Sequence, residues 1–121
     1  MKIKKGGIPY TYFFVLALLM MIFAAKVQAQ TSLTPEDQRK YDYFFLEATN
    51  LKESGNTDGA FELYRHALEI NPNGATALYE ISQLYLNLNQ IDKAQTSLEK
   101  AVTNDPDNYW YAETLSNLYM Q

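Results

Sequence analysis

The sequence of 121 residues predicts an all-α fold built from tandem helix-turn-helix hairpins. Two observations lead to this fold class. Apolar residues recur at spacings of three and four, as at Phe61, Tyr64 and Leu68, which is the periodicity of an amphipathic helix. Several residue types also recur at a longer, fixed interval, equal to the separation of Pro72 and Pro106 in the sequence. No segment shows a convincing strand-like alternation, so the repeating unit is a pair of helices.

The N-terminal residues 1–29 predict a secretory signal peptide. Lys2, Lys4 and Lys5 precede an apolar run of 13 residues at 13–25, and Val27-Gln28-Ala29 supplies a small-residue cleavage signal. The alternative is an uncleaved membrane anchor. However, 13 helical residues rise only about 20 Å, less than the roughly 30 Å of a hydrocarbon core. We therefore expect an exported bacterial protein, periplasmic or secreted, with no membrane association after cleavage.

Charge and cysteine content narrow the functional classes. Removal of residues 1–29 would leave 6 basic and 14 acidic residues, a formal charge of −8. Such an acidic chain repels phosphate backbones, so we expect no nucleic-acid partner. With no cysteine, the chain forms no disulfides and cannot be a lipoprotein acylated on cysteine. Its stability must come from apolar packing.

Five helices are predicted, and the leader and helix extension at residues 30–40 include the start of the first of them. Thr34 can cap the first helix, and Pro35 suits its first turn. Breaks follow at Gly55-Asn56, at 71–74, at Asn89-Gln90 and at 105–107. The predicted helices are therefore 34–54, 57–70, 75–88, 92–104, and a last one from about 108 to the end of the sequence at 121.

Small residues recur in register with the prolines. Each set has a packing reason, because small side chains let two helices approach closely and proline ends each hairpin. The sets are Ala48, Ser82 and Ser116; Ala60 and Ala94; Ala67 and Ala101; and, as larger packing residues, Leu51, Tyr85 and Tyr119.

With this register the sequence resembles the tetratricopeptide repeat family, whose unit is about 34 residues long. The repeats are 41–74, 75–108 and a partial 109–121, which form the domain 41–121. The first departs from the pattern at Glu47, where an aliphatic residue is usual. The resemblance implies a short right-handed solenoid that serves as a scaffold for binding other proteins.

The resemblance also implies where a peptide would bind. In this family the first helix of each hairpin lines the concave face. That geometry gives a candidate peptide-binding groove of Phe45, Thr49, Tyr79, Gln83, Trp110, Glu113 and Asn117. The lysines and arginines with which the family grips a C-terminal carboxylate are missing at the matching places. Aromatic and acidic residues suit an apolar or a basic peptide instead. Alternatively, these residues are merely solvated or pack on a further repeat.

Residues for catalysis, cofactors or metals are few. His66 is the single histidine, and it aligns with Lys100, so we expect it to face solvent. No nucleophile elbow or glycine-rich phosphate loop occurs. The acidic run 104–108 is interrupted by Pro106 and lacks the glycine of a calcium loop, so it predicts a polar turn. We expect no catalytic residues, no cofactor and no metal site, and hence not an enzyme.

The last predicted helix lacks the second helix that completes a hairpin. We expect Ala112, Leu115, Leu118 and Tyr119 to be left uncovered, because a hairpin buries its apolar face only against a neighbour. The chain is then either the N-terminal piece of a longer repeat protein, or it self-associates or binds a partner through the last helix. Two functions follow: an exported protein-binding scaffold, or a sensory or regulatory arm of a larger exported protein or enzyme.

Overall fold

The computed structural model describes residues 7, 9–29 and 32–121, which contain six helices and no strand. Residues 1–5 of the predicted signal peptide, which include Lys2, Lys4 and Lys5, lie outside this part, as do residues 30–31 of the predicted leader. In chain order the helices are α1 (Tyr10–Ala29), α2 (Pro35–Glu53), α3 (Thr57–Ile70), α4 (Ala75–Asn87), α5 (Ile91–Asn104) and α6 (Tyr109–Tyr119).

The chain divides into two compact units, Met1–Ser32 and Leu33–Gln121. The first contains α1, which holds the apolar run of the predicted signal peptide, and its side chains from Tyr10 to Ile22 are exposed. Among the described residues, no helix combines the length and the apolar character that crossing a membrane requires. The signal peptide and its cleavage site remain predictions.

Capping residues and turn residues set the ends of the helices in the second unit. Thr34 Oγ1 accepts a hydrogen bond from the Asp37 N–H at 3.1 Å and caps α2, with Pro35 in the first turn. Asn56 caps α3 in the same way through the Gly59 N–H at 2.9 Å. Gly55 and Asn89 occupy equivalent places in the two repeats and turn the hairpins with φ of 85° and 57°. The same left-handed turn therefore recurs in both repeats.

Several of the predicted helix ends need correction by one or two residues. Helix α2 runs from Pro35 to Glu53, because Thr34 and Ser54 are its N-cap and C-cap. The last helix ends at Tyr119 rather than continuing to Gln121, because the Met120 backbone leaves the helical hydrogen-bonding pattern as its C-cap. Leu88 is the C-cap of α4, which ends at Asn87. Helix α5 begins at Ile91, one residue earlier than the pattern indicates. These one- or two-residue differences lie at helix termini, where capping rather than apolar periodicity sets the boundary.

Helices α2 and α3 pack as one hairpin, and α4 and α5 as the next. Small residues lie at the contacts as predicted: Ala48, Ala60, Ala67, Ser82, Ala94 and Ala101 are all fully buried. The first hairpin and α4 share one hydrophobic cluster, which includes Tyr64, Ile81 and Leu84. Leu78, Ala101 and Tyr111 form a second cluster that joins α6. The apolar core is thus continuous along the repeats, as expected of a solenoid.

Two side chains differ from their predicted environments, and His66 has a contact that the sequence does not predict. Ser116 is exposed, although its repeat equivalents are buried, because no described helix packs on that side of α6. Leu118 is buried rather than uncovered, since α6 packs against α5. His66 is only half exposed: its ring lies 5.5 Å from that of Phe44, and its Nδ1 lies 3.1 Å from Glu69 Oε2. His66 thus faces solvent as its alignment with Lys100 predicts, but it also contacts Phe44, which that alignment does not predict.

Candidate protein-interaction face

The first helices of the repeats, α2, α4 and α6, are joined by side chains into one layer. Lys52 Nζ on α2 lies 2.5 Å from Glu80 Oε2 on α4. The rings of Tyr79 on α4 and Tyr111 on α6 stack at 4.8 Å between centroids, and the Tyr111 hydroxyl donates to Thr76 Oγ1 at 3.3 Å. The seven predicted groove residues all lie on these three helices. We call the surface they form the interaction face.

On α2, the two predicted residues are partly engaged within the first hairpin. The Phe45 ring is half-buried and lies 6.2 Å from Tyr41 and 5.6 Å from Tyr64. Thr49 Oγ1 donates to the Phe45 carbonyl at 3.0 Å and lies 3.0 Å from the Tyr64 hydroxyl. Burial raises the pKa of the Tyr64 hydroxyl, and the Thr49 hydrogen bond opposes that shift. This end of the face is rigid and mainly supports the fold.

On α4, Tyr79 is held by its stack on Tyr111, and Gln83 lies one turn further along the same side of the helix. The Gln83 Nε2 atom is buried, and no acceptor in the described part of the chain reaches it. A buried donor without an acceptor costs about 1–3 kcal/mol. Because this nitrogen has no contact with solvent, a ligand on the surface would not reach it.

On α6, the predicted residues are the most accessible part of the interaction face. Trp110 is 68% exposed, and Asn117 is also exposed. Glu113 is half-buried and accepts a hydrogen bond from the Tyr109 hydroxyl at 3.3 Å. The Tyr109 and Trp110 rings meet edge to face, with centroids 5.9 Å apart. An exposed indole beside a carboxylate offers both apolar area and charge to a partner.

The prediction omitted the Lys52–Glu80 ion pair, which lies on the same layer. The hydrogen bond that Lys52 Nζ donates to Glu80 Oε2 raises the pKa of the Lys52 ammonium. Its positions are occupied by leucine at the equivalent places Leu86 and Leu46. A search for residue types that recur at the repeat interval therefore passes over it. The pair could have been predicted from the presence of a lysine and a glutamate on the first helices of two consecutive repeats.

The acidic run 104–108 begins at the last residue of α5 and forms the turn that leads into α6. Its Asn108 side chain donates to Asp105 Oδ2 at 3.3 Å, and the Asn108 N–H donates to the Asp105 carbonyl. Across residues 7, 9–29 and 32–121, no three His, Cys, Asp or Glu side chains are grouped so as to hold a metal ion. The groups that converge on the interaction face are aromatic rings, amides and carboxylates, which are the groups of a binding surface.

Fold and face together define a class: a helical repeat protein whose first helices present a surface to other proteins. The tetratricopeptide repeat family profile matches residues 51–118, more than half of the chain. The chain therefore belongs to the tetratricopeptide repeat family, whose repeats serve as protein-interaction scaffolds.

Several known proteins are similar to about half of the chain. A probable UDP-N-acetylglucosamine–peptide N-acetylglucosaminyltransferase SPINDLY from Hordeum vulgare is 38% identical over 58 residues, 48% of this chain and 6% of that protein. The BBSome complex member BBS4 from Bos taurus is 38% identical over 55 residues, 46% of this chain and 11% of that protein. The chain thus matches only a small fraction of these relatives' length.

Among solved structures, an O-GlcNAc transferase mutant from Thermobaculum terrenum is similar with a TM-score of 0.65. The alignment has 24% identity and covers 71% of this chain and 16% of that one. This likeness shows the helical repeat fold alone.

Proposed function

We propose that this chain is an exported, non-catalytic scaffold that binds a protein or peptide partner in the cell envelope through the interaction face. The observation that carries the proposal is the Trp110 indole on α6, which is 68% exposed and lies on the same helix as the exposed Asn117. A peptide laid across the interaction face would contact both residues. A few such residues supply most of the affinity at protein interfaces.

Export is the second part of the proposal, and it rests on residues 1–29. Three lysines precede the 13 apolar residues, and the small residues Val27 and Ala29 stand at the positions that signal peptidase reads. Helix α1 contains the apolar run and the cleavage motif. Removal of this segment would release an acidic domain into the periplasm or the medium.

A second candidate is a sensory or regulatory arm of a larger exported protein or enzyme. Two observations favour it. The matched relatives include proteins named as glycosyltransferases, and the match covers only 6% of the SPINDLY protein from Hordeum vulgare. The DNA downstream of the Gln121 codon distinguishes the two functions, since an in-frame catalytic or sensor domain would favour the arm.

Affinity capture tests the interaction face. With the full chain as bait in an envelope extract, we expect Trp110→Ala and Asn117→Ala to reduce recovery of a captured protein about tenfold or more. Both residues are exposed, so these changes leave the core intact. Tyr43→Ala is the matched control, because Tyr43 is also an exposed aromatic residue but is not among the interaction-face residues. Equal recovery with all three variants would move the binding site elsewhere.

Fractionation tests export. We expect an epitope-tagged full chain, expressed in a Gram-negative host, to appear in the periplasm with Gln30 as its N-terminal residue. Ala29→Tyr should block processing, because signal peptidase requires a small residue there, and should leave the unprocessed chain in the membrane fraction. Leu46→Tyr, on α2 and far from the cleavage site in sequence, serves as the control and should be processed normally. Recovery of the unprocessed native sequence in the cytosol would rule out the signal peptide.

A further inference from the structure

The interaction face has an uneven charge distribution. Helices α4 and α6 carry two charged residues, Glu80 and Glu113, and neither helix contains a lysine, arginine or histidine. Glu80 is already paired with Lys52 across α2 and α4. Glu113 forms no ion pair within the described residues, where the Tyr109 hydroxyl is its hydrogen-bond donor at 3.3 Å. A negative charge therefore remains on α6.

Two exposed aromatic rings surround this charge. Tyr109 and Trp110 are 67% and 68% exposed, and their centroids lie 5.9 Å apart. Tyr109 also hydrogen-bonds Glu113, one turn along the helix. Trp110 and Glu113 are three residues apart and so lie on the same side of α6. We call Tyr109, Trp110 and Glu113 the acidic aromatic cluster.

The chemistry of this cluster decides between the two peptide types that suit the face. An apolar side chain on Trp110 would take the neighbouring Glu113 carboxylate out of water without a cation to pair with it, which is costly. An acidic side chain would meet Glu113 and a domain with 14 acidic and 6 basic residues. A guanidinium stacks on an indole and pairs with a carboxylate at once. Among cations, its planar shape suits both contacts better than an ammonium.

We propose that the acidic aromatic cluster binds an arginine side chain presented by a basic segment of a protein partner. The inference rests on the proposed function, which it deepens by naming the partner's chemistry. Trp110 supplies the stacking surface, Glu113 supplies the charge, and Tyr109 holds the Glu113 carboxylate in place. Elsewhere on the domain, the Tyr85 ring already has the Lys93 ammonium over it at 5.6 Å. The Trp110 ring has no such cation among the described residues.

The single tryptophan provides a direct probe, since Trp110 is the only one in the chain. The full chain, in non-ionic detergent and about 20 mM salt to limit screening, is titrated with acetyl-Gly-Ala-Arg-Ala-Gly-amide while Trp110 emission is followed. The comparison peptides carry citrulline or glutamate in place of arginine. We expect a saturable change with the arginine peptide and at least about tenfold weaker binding of the citrulline peptide.

Charge-matched variants complete the test. Glu113→Gln should weaken binding of the arginine peptide about tenfold, while Glu69→Gln, which removes an equal charge from α3, should leave it unchanged. Circular dichroism checks that both variants remain folded. Three results would each overturn the inference: equal binding of the arginine and citrulline peptides, tighter binding of the glutamate peptide, or no response to the arginine peptide. If Trp110→Ala still abolishes capture from an extract, any of these leaves the proposed function standing.

Discussion

Replacing Tyr64 by alanine is expected to lower the free energy of unfolding by about 3–5 kcal/mol, the usual cost of removing a large buried aromatic side chain. Tyr64 is fully buried in the first hairpin, and its ring lies 5.6 Å from that of Phe45. Domains of this size are stable by only about 5–15 kcal/mol, so the loss is a large fraction of the total. Urea unfolding followed by circular dichroism measures it as a lower midpoint concentration.

Two further variants distinguish the contribution of the Tyr64 ring to stability from that of its hydroxyl and from that of an exposed ring. The Tyr64 hydroxyl forms a 3.0 Å hydrogen bond with Thr49 Oγ1, in which either oxygen can be the donor. Tyr64→Phe removes only that bond and should cost about 1 kcal/mol. Tyr43→Ala removes an exposed ring from α2 and should cost less than about 0.5 kcal/mol. If Tyr64→Ala unfolds at the same urea concentration as Tyr43→Ala, the first hairpin does not depend on this ring.

The helices of the repeats could be predicted from the sequence because turn residues interrupt them at regular intervals. Gly55 and Asn89 adopt the left-handed backbone conformation at equivalent places, and prolines follow the second helix of each repeat. The buried small residues were predicted for a related reason, since close helix approach excludes larger side chains. Both features recur at the repeat interval, so each copy confirms the other. What recurs in a repeat protein can be read from one sequence.

Features that occur once could not be predicted in this way. Within the first two repeats, the positions equivalent to Lys52 and Glu80 hold leucine, at Leu86 and Leu46. The environment of His66 is set by Phe44, whose equivalent in the second repeat is Leu78. Both contacts join side chains on two different helices. The register of the repeat predicts where each residue lies on its helix, but it does not predict which side chain lies opposite. The register of the repeat therefore predicted on which helices the interaction-face residues lie, while their contacts and hydrogen bonds required the structure. That this face binds a partner stays a prediction.

The contact between Tyr41 and Gly74 is a second feature that occurs once, and it gives the other large expected effect. Gly74 is the buried N-cap residue of α4, and a Cβ built on it would lie 2.8 Å from Cε2 and Cζ of Tyr41. Tyr41 is itself buried and stacked near Phe45, so its ring cannot turn away freely. The next repeat has the reverse arrangement, with Asn108 at the glycine position and Ala75 at the tyrosine position.

We therefore expect Gly74→Ala to lower the free energy of unfolding by about 1–3 kcal/mol, the usual cost of overpacking. In a Tyr41→Ala background the same change should cost less, with a coupling of about 1 kcal/mol or more in the double-mutant cycle, because the ring that blocks the Cβ is gone. Asn108→Ala, at the equivalent N-cap beside Ala75, should cost less than about 1 kcal/mol, since it loses only a 3.3 Å hydrogen bond to Asp105. If the two single changes at Gly74 and Tyr41 add to within about 0.5 kcal/mol, steric exclusion by Tyr41 is not what requires glycine at this turn.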